Sequence, residues 1–569
     1  MSYWYQRVRD WTLQLVGFAS VTNTRGETEF AQRLYDLLAE LPYFKAHPDQ
    51  LWLERTADDL RERYNLFALV RGGGPATVVL SGHYDVVSID NYGPLAPWAF
   101  DPEALLPRLI ADLEAHCRSE SDHLALHDLK SGVYLPGRGV LDMKSGLAAG
   151  IAVLCRFSEI ARERQGSLLL IATPDEEDSS HGMRSAALRL GAIAHERQLD
   201  LDAAINLDAT NDRGDGSVGQ AIFLGTVGKL LPLVYVVGRD THAGVPFDGV
   251  NANLLAAEIT RRIECNAALS DVVEGAAAPP PVSLKQSDLK TQYDVTTPAA
   301  AWCYYNVLTH GRAATDVLDT VMGLVREALD SALQQLQEQA RRYAALAQQP
   351  IEPIRWQPLV LSFAELQARV RQQCGPEALH ALDELALRLA QDPAIDLPSF
   401  NRRLIEAWWS HSGLSGPAAV VGFGSLYYPP SYVKGSTERQ RRVRDAAAQQ
   451  AAALSHETAV PIQLRPFFSG ISDMSFLGSA TSAEDVAAIA SNTPAWEARL
   501  RFDYAAVSAL DLPTINIGPW GRDYHQRLER VHMPYSFEVL PELIWRVAGR
   551  VLEQCALEEH LTGSKSGVS

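Results

Sequence analysis

The stretch Ser167-Leu-Leu-Leu-Ile-Ala-Thr-Pro-Asp-Glu-Glu177 joins an apolar run directly to acidic residues. An apolar run of this length without a helical period predicts a buried strand. Four consecutive acidic residues, Asp175 to Asp178, follow that strand. They fit a solvated loop, and they equally fit a site in which one carboxylate binds a metal while its neighbour acts as general base. The stretch alone leaves both interpretations open.

Two other segments place polar side chains near the end of an apolar run. Leu80-Ser-Gly-His83-Tyr-Asp85 has a spacing that lets a carboxylate orient one ring nitrogen while the other binds a metal. Gly137-Arg-Gly-Val-Leu-Asp142-Met-Lys-Ser-Gly146 places an aspartate just before a predicted helix. That aspartate is either an N-cap or a metal ligand. A lone His-x-Asp is also compatible with a purely structural role.

Two further candidates come from more distant parts of the chain. Asp208 follows the strand-like run Asp202 to Leu207, and His525 lies in Trp520-Gly-Arg-Asp-Tyr-His525-Gln-Arg-Leu-Glu529. Taken with His83, Asp142 and Glu177, they make two imidazoles and three carboxylates, the nitrogen and oxygen ligands that zinc accepts. One of the carboxylates can bridge two metals.

The first part of the chain alternates helix and strand, which predicts an α/β sheet with polar side chains at the strand ends. Helices are predicted over Glu27 to Leu41 and Gly146 to Phe157 by their apolar spacing. Strands are predicted over Asn65 to Val70 and Ala76 to Ser81. The intervening Arg71-Gly-Gly-Gly-Pro75 predicts a hairpin turn rather than a phosphate-binding loop, since no helix start with Lys-Ser/Thr follows it.

The pattern changes after Gly214, where strands and long helices replace the regular alternation. A loop is predicted over Ser270 to Thr297 and an amphipathic helix over Thr315 to Ala347. A helical block extends to about Ser412. We therefore predict one domain made of residues 1–214 and 457–569, with a second domain, 215–456, inserted between them.

Composition limits the partners and the compartment. The 569 residues carry a formal charge of -18 and no basic cluster interleaved with aromatics, so neither nucleic acid nor a membrane is an expected partner. The six cysteines are scattered without a CxxC pair, and no signal peptide is visible at Met1. These features predict a cytoplasmic protein with reduced thiols.

The motifs quoted above, in their order along the chain, resemble the di-zinc metallopeptidases and aminoacylases of peptidase family M20, the carboxypeptidase G type. The resemblance covers about Trp11 to Gly244 and about Pro461 to Val551. It implies a zinc-dependent exopeptidase-type catalytic domain, in which a mixed sheet is flanked by helices. It also implies an inserted α+β lid domain, here enlarged by helices, and the capacity to form a homodimer.

The resemblance also implies a role for each candidate residue. His83 and Asp208 look like ligands of one zinc ion, and Glu177 and His525 like ligands of the other. Asp142 looks like the bridging carboxylate, and cobalt or manganese could replace zinc. Asp85 resembles the residue that orients the histidine, and Glu176 resembles the general acid/base.

A segment of the inserted region, Gly238-Arg-Asp-Thr-His242-Ala-Gly-Val-Pro246, is similar to the one by which the family's smaller domain lends a histidine to the substrate carbonyl. His242 is then an oxyanion donor; the alternative is a packed turn residue. The family's usual carboxylate-clamping Asp-x-Arg is replaced here by different residues around Asn306, and Arg312 is only a loose substitute. Extra sequence between His83 and Asp142 contains a predicted helix, about Pro102 to Arg118.

These observations predict a metal-dependent hydrolase that cleaves an amide bond of a small peptide or N-acyl amino acid. The extra sequence between His83 and Asp142 and the added helices of the inserted domain resemble the arginine-utilisation branch of the family. An arginine derivative is therefore a candidate substrate. The alternative is a non-catalytic, metal-binding member that acts as a binding or assembly protein. That alternative predicts a broken ligand set, whereas all five ligand positions and Glu176 carry competent residues.

Overall fold

The computed structural model describes residues 3–563, apart from 161, 162, 349, 351, 353, 354, 393, 469, 479 and 480. The strands, numbered in chain order, are β1 (Leu51–Arg55), β2 (Tyr64–Arg71), β3 (Gly73–His83), β4 (Tyr134–Pro136), β5 (Gln165–Thr173), β6 (Asp200–Asn206), β7 (Thr210–Asn211), β8 (Ala221–Phe223), β9 (Gly225–Thr226), β10 (Gly228–Leu230), β11 (Pro232–Val237), β12 (Val272–Val273), β13 (Ala276–Ala277), β14 (Val282–Asp288), β15 (Ala300–Thr309), β16 (Leu359–Ser362), β17 (Ala418–Phe423), β18 (Ser431–Tyr432), β19 (Gln463–Arg465), β20 (Thr514–Asn516), β21 (Trp520–Arg522) and β22 (Arg530–His532). The α-helices are α1 (Tyr5–Val16), α2 (Arg25–Ala39), α3 (Pro42–Ala46), α4 (Pro102–His116), α5 (Glu120–Lys130), α6 (Lys144–Glu159), α7 (His181–Arg197), α8 (Ala252–Ile263), α9 (Ala314–Ala347), α10 (Phe363–Gln373), α11 (Pro376–Ala390), α12 (Leu397–Ser410), α13 (Glu438–Thr458), α14 (Ala483–Asn492), α15 (Tyr504–Ser508) and α16 (Leu540–Gly563).

The chain folds into two compact units, each assembled from separate stretches of sequence. The first comprises Met1–Thr226, Ser431–Ala480 and Ala505–Ser569, and the second comprises Val227–Pro430 and Thr481–Tyr504. The second unit overlaps the predicted insertion 215–456 but differs from it at both ends. Helix α13 packs against α16 and belongs to the first unit, while α14 packs against α9 and belongs to the second. That the second unit acts as a lid or dimerisation domain stays a prediction.

An eight-stranded mixed sheet forms the centre of the first unit, in the order β1-β2-β5-β3-β6-β20-β8-β19. Strand β3 lies between β5 and β6 and is parallel to both, whereas β2 is antiparallel to β5. The prediction of a mixed α/β sheet flanked by helices is confirmed. The apolar run Leu168 to Ala172 is fully buried within it, as its lack of polar alternation predicts.

The predicted hairpin between β2 and β3 is wrong. Strand β5 lies between them and pairs with each, antiparallel to β2 and parallel to β3. The glycine run therefore connects two strands that are not neighbours. Local turn residues indicate where a strand ends, but they do not report a third strand that comes much later in the chain.

One hydrophobic core covers a face of this sheet. Alternate residues of β5, namely Leu168, Leu170 and Ala172, share a cluster of buried side chains with residues of α2, α6 and α16. The alternation follows from the strand geometry, which points successive side chains to opposite faces. The core holds α6 and α16 against β3, the strand that ends at His83.

A smaller sheet in the same unit, ordered β4-β22-β21-β7, presents the loop between β21 and β22. That loop, residues 523–529, contains His525. The two strands are antiparallel and pair at Gly521 with Val531 and at Arg522 with Arg530.

The second unit has its own sheet, ordered β10-β15-β11-β17-β16, with β14 paired to β15. The prediction of a loop over 270–297 is wrong at β14, which lies within that segment. Its Pro-rich flanks obscure the strand period in the sequence. The predicted helical block is present within the described residues as α9 to α12, and the apolar stripe of α9 is buried at Val321, Val325 and Ala328. None of the helices in the described residues is long and apolar enough to cross a membrane.

Candidate metal centre

Three parallel strands bring predicted ligands to one edge of the large sheet. Strand β3 ends at His83, which is in register with Thr173 at the end of β5. The turn after β5 carries Glu176 and Glu177, and Asp208 lies two residues after β6. Because parallel strands end at the same edge, residues distant in the sequence meet there.

The other two predicted ligands arrive on loops. Asp142 precedes α6, whose N-cap is Met143, and its side chain does not cap the helix, so the N-cap alternative is not observed. The helix start lies very close to a strand end. A Cβ atom added at Gly146 would come within 2.1 Å of the carbonyl oxygen of Leu207, so this approach requires glycine.

The five predicted ligands lie together in overlapping groups. Asp142 lies between the histidines: its Oδ1 is 3.2 Å from His83 Nε2 and its Oδ2 is 3.1 Å from His525 Nε2. Asp208 Oδ1 is 3.8 Å from His83 Nε2, and Glu177 Oε1 is 3.1 Å from His525 Nε2. One group that could hold a metal ion is His83, Asp142 and Asp208, and another is Asp142, Glu177 and His525. A carboxylate shared by two groups is the arrangement expected of a two-metal site.

The donor atoms fit divalent cations. Among the described residues, the buried Oε1 of Glu177 has no hydrogen-bond partner despite its proximity to His525 Nε2. A buried oxygen without a partner is unfavourable unless something absent from the protein satisfies it. The carboxylates of Asp85, Asp142, Glu176, Glu177 and Asp208 also outnumber the two imidazoles. Added positive charge would therefore stabilise this cluster.

The pKa shifts of these carboxylates reflect the excess of carboxylates over imidazoles in the cluster. Burial, together with the negative charge of Asp142, raises the pKa of Glu177 to about 7. Burial also raises the pKa of Glu176 well above its usual range, and Asp208 and Glu177 raise it further. Burial opposes ionisation of Asp142 as well, but the two adjacent imidazoles lower its pKa below the usual value.

Asp85 holds the turn that carries the two glutamates. Its carboxylate accepts hydrogen bonds from the main-chain N–H groups of Glu176 (3.1 Å) and Glu177 (3.2 Å). The hydrogen-bonding distance to His83 Nδ1 belongs to the main-chain oxygen of Asp85, at 3.1 Å, whereas its carboxylate Oδ1 lies at 3.5 Å. The geometry thus differs from the predicted carboxylate–imidazole pair, although Asp85 still contacts the ring.

A buried charged network, which no sequence motif predicted, supports the same turn from behind. Arg63 donates to Asp175 (2.5 Å), Glu27 (3.0 Å) and Asp59 (2.7 Å). Asp175 has a φ of 69°, a left-handed conformation that a non-glycine residue adopts at a cost. No local signal marks Arg63, because two of its three partners lie far along the chain.

A second group that sequence reasoning missed connects the loops of Asp142 and His525. Glu529 is fully buried and pairs with Arg138. Its Oε1 also accepts from the main-chain N–H groups of Gly139 (2.8 Å) and Leu141 (3.2 Å). The signal was present in the His-x-x-x-Glu spacing, but spacing alone did not identify what the glutamate contacts.

His242, the predicted oxyanion donor, belongs to the second unit. It lies in the loop between β11 and α8, its side chain is exposed, and its Nδ1 accepts a hydrogen bond of 3.0 Å from the N–H of Gly244. Asp473 is buried in the first unit. Thr173 donates a hydrogen bond to its Oδ2, at 3.3 Å.

The chain is similar to known metallopeptidases in sequence and in fold. The model of peptidase family M20/M25/M40 matches residues 118–494. Protein RocB of Bacillus subtilis (strain 168) is 31% identical over 556 residues, which cover 96% of this chain and 95% of that protein. Among solved structures, the M20 family metallo-carboxypeptidase Sso-CP2 of Sulfolobus solfataricus has a TM-score of 0.50 and 12% identity over 96% of this chain and 99% of its own. Aminopeptidase PepT of Bacillus cereus ATCC 10987 has a TM-score of 0.50 and 12% identity over 97% of this chain and 100% of its own.

Proposed function

The chain belongs to peptidase family M20/M25/M40, as its sequence resemblance predicts, and from that membership we propose that it hydrolyses an amide bond with two divalent metal ions. The proposal depends most on Asp142, which lies between the two histidines. Its Oδ1 faces His83 and its Oδ2 faces His525. We propose His83 and Asp208 as ligands of one ion and Glu177 and His525 as ligands of the other. Zinc suits this nitrogen and oxygen donor set, and cobalt or manganese could replace it.

The chemistry divides between the ions and the protein. When bound, divalent ions supply Lewis-acid polarisation of the substrate carbonyl and of the attacking water. Glu176 takes a proton from that water at its carboxylate and passes it to the departing amine nitrogen. Its position supports this role, because Oε2 lies 3.9 Å from His83 Nε2 and the carboxylate therefore borders the proposed ligands, within reach of a water attacking there.

Two further residues would assist the reaction. Asp85 fixes the main chain of Glu176 and Glu177, and this contact favours one orientation of the proton-carrying carboxylate. His242 would donate a hydrogen bond to the oxygen of the carbonyl as negative charge develops there. In a homodimer that donor could come from the partner subunit.

The substrate class is a small peptide or an N-acyl amino acid. The near full-length similarity to Protein RocB and the resemblance to the arginine-utilisation branch make arginine derivatives the first compounds to test. The alternative is a non-catalytic binding member of the family. It predicts that the protein binds such compounds but does not hydrolyse them.

The test is a hydrolysis screen. Metal-loaded and EDTA-treated protein are incubated with dipeptides and N-acyl amino acids, including arginyl compounds, and the released amine is measured. We expect hydrolysis of at least one class by the loaded protein, and its loss after EDTA with recovery on adding Zn²⁺ or Co²⁺. Hydrolysis that EDTA leaves unchanged, or none across the library at full metal loading, would reject the proposal.

A further inference from the structure

The segment from Asp90 to Lys130, called here the 90–130 segment, supplies none of the proposed metal ligands, yet it packs against the loop that carries His525. It contains a 3-10 turn (Asp90–Trp98) followed by α4 and α5. The segment forms a small hydrophobic cluster of its own, whose one buried member outside residues 90–130 of the described chain is Leu528, in the His525 loop. The buried members are Tyr92, Ala99, Leu105, Leu109, Leu113, Ala125, Leu129 and Leu528.

A buried aspartate of α5 connects the segment to both strands that flank the His525 loop. Asp128 accepts hydrogen bonds from Arg522, at the end of β21, with a shortest distance of 2.6 Å. It also accepts from Arg530, at the start of β22, with a shortest distance of 2.7 Å. All three side chains are buried, so charge-assisted hydrogen bonds hold the two strand ends to α5.

A second ion pair reaches the loop itself. Asp112 of α4 pairs with Arg527, two residues after His525. Both side chains are about one-third exposed, so this contact can be removed without leaving a buried charge unpaired.

One side chain of the segment contacts His525 directly. The Nδ2 of Asn91 donates to the carbonyl oxygen of His525 at 2.9 Å, and its Oδ1 accepts from Arg138 at 3.1 Å. Arg138 lies in the loop that leads to Asp142 and pairs with Glu529. A single amide therefore bridges the two loops that carry the proposed ligands Asp142 and His525.

The backbone of the His525 loop requires such support. His525 has a φ of 61° and Asp523 a φ of 57°, both in the left-handed region that disfavours residues with a side chain. Residues keep such conformations where surrounding contacts over-determine them. Asn91 donates its hydrogen bond to the carbonyl oxygen of one of these two residues, His525.

We propose that the 90–130 segment is a positioning element for His525 and, through it, for the group Asp142, Glu177 and His525. The inference rests on the proposed metal-dependent function, because it gives the segment a role only if His525 binds a metal. His83 and Asp208, the proposed ligands of the other ion, receive no hydrogen bond or ion pair from Asn91 or Asp112 in the described structure. Loss of these contacts should therefore weaken one metal site and spare the other.

The experiment is a titration of metal-free protein with Co²⁺. Binding is measured by calorimetry and by the visible absorbance of the bound ion. The variants are Asn91→Ala and Asp112→Ala, singly and combined. Both side chains are at the surface or partly exposed, so the variants should fold, which circular dichroism checks. Glu114→Ala is the matched control, because Glu114 lies on the same helix as Asp112 but pairs with Lys130 inside the segment.

We expect the double variant to lose about ten- to a hundred-fold in affinity at one site, the range found when residues that orient metal ligands are removed. The weakened site should be the one missing from His525→Ala, and the site missing from Asp208→Ala should keep its affinity. Asp112→Glu, which can retain the ion pair, should restore most of the loss of Asp112→Ala. Glu114→Ala should bind both ions as the unaltered protein does.

Equal affinities in the double variant and the unaltered protein would overturn the proposal, and so would an equal loss at both sites. Since the titration needs no substrate, it is independent of turnover. A protein that binds two ions but hydrolyses no compound in the screen would count against the proposed hydrolase alone. The positioning role is judged only from the affinity of the His525 site.

Discussion

Glu176 and Glu177 are neighbours in sequence, but each carboxylate lies within 4 Å of a different histidine. Glu176 Oε2 is 3.9 Å from His83 Nε2, and Glu177 Oε1 is 3.1 Å from His525 Nε2. The main-chain hydrogen bonds to Asp85 fix the turn in which this divergence occurs. Two adjacent glutamates can therefore have separate tasks, one as proton carrier and one as metal ligand.

Substitution should separate those tasks. Glu176→Gln should retain metal and lose most turnover, by about a hundred- to ten-thousand-fold, because it removes general acid–base catalysis. Glu177→Gln should instead lower metal content, because an amide oxygen is a weaker ligand than a carboxylate. Metal analysis and turnover on the same preparations check both statements, and an exchange of the two phenotypes would reverse the assignment.

His242 tests whether the second unit contributes to catalysis. If it donates to the developing oxyanion, His242→Ala should keep its metal and lose about a hundred- to a thousand-fold in turnover, as for loss of one such donor. The exposed Asp240→Ala is a control in the same loop. Near-normal activity of His242→Ala on a verified substrate would make His242 a structural turn residue.

The same variant can reveal a donor from a partner subunit. Mixing inactive His242→Ala chains with inactive Glu176→Gln chains should restore partial activity if a hybrid dimer combines an intact His242 and an intact Glu176 in one site. Absence of rescue, with subunit exchange demonstrated by tagged chains, would place the donor in the same chain.

Arg63 should be important for stability although it is no proposed ligand. Arg63→Ala removes the guanidinium that the buried carboxylates of Glu27, Asp59 and Asp175 share, which should cost about 3–5 kcal/mol. Arg33→Ala, which removes a half-exposed pair with Glu29, should cost less than about 1 kcal/mol. Urea unfolding of the metal-free proteins measures the difference, and similar losses in the two variants would refute the role of the network.

Acid should destabilise the fold partly through His532. Burial, assisted by the positive charge of Arg522, lowers the pKa of His532 to about 4. An unfolded histidine has a pKa of about 6.5, so the unfolded state binds more protons between these values. The stability contributed by the neutral ring is therefore fully present above about pH 6.5 and is lost as the pH falls towards 4.

His532→Gln should flatten this dependence. The glutamine can still accept a hydrogen bond but does not titrate, so the fall in free energy of unfolding from pH 7 to pH 4.5 should shrink by roughly 1–3 kcal/mol. His380→Gln, at an exposed position on α11, is the control. An unchanged pH dependence in His532→Gln would contradict the shift.

Local patterns were sufficient to predict the central strands and to select the candidate ligands, because each proposed ligand follows a recognisable apolar run or motif. The insertion of β5 between β2 and β3 could not be predicted, since pairing across a long stretch of chain leaves no mark in either strand. The same holds for the placement of α13 beside α16.

The contacts that support the site could not be predicted from the sequence either. Asn91 and His525 lie far apart in the chain, and nothing about a lone asparagine indicates that its amide reaches a histidine carbonyl. Asp85 illustrates a finer limit: the His-x-Asp spacing predicted a contact, but only the turn after β5 determines that its carboxylate binds the main chain of Glu176 and Glu177.

If Asp142 joins two metal sites, its removal should empty both, and elemental analysis of the Asp142→Ala variant measures that loss. The unaltered protein, loaded with Zn²⁺ and freed of excess by gel filtration, should contain close to two ions per chain, because Asp142 belongs to two of the groups of side chains that could hold a metal ion. Asp101→Ala, which removes only the N-cap of α4, should retain both ions. Asp142→Ala should lose most metal from both sites, whereas full metal content in that variant would show that Asp142 does not join two metal sites.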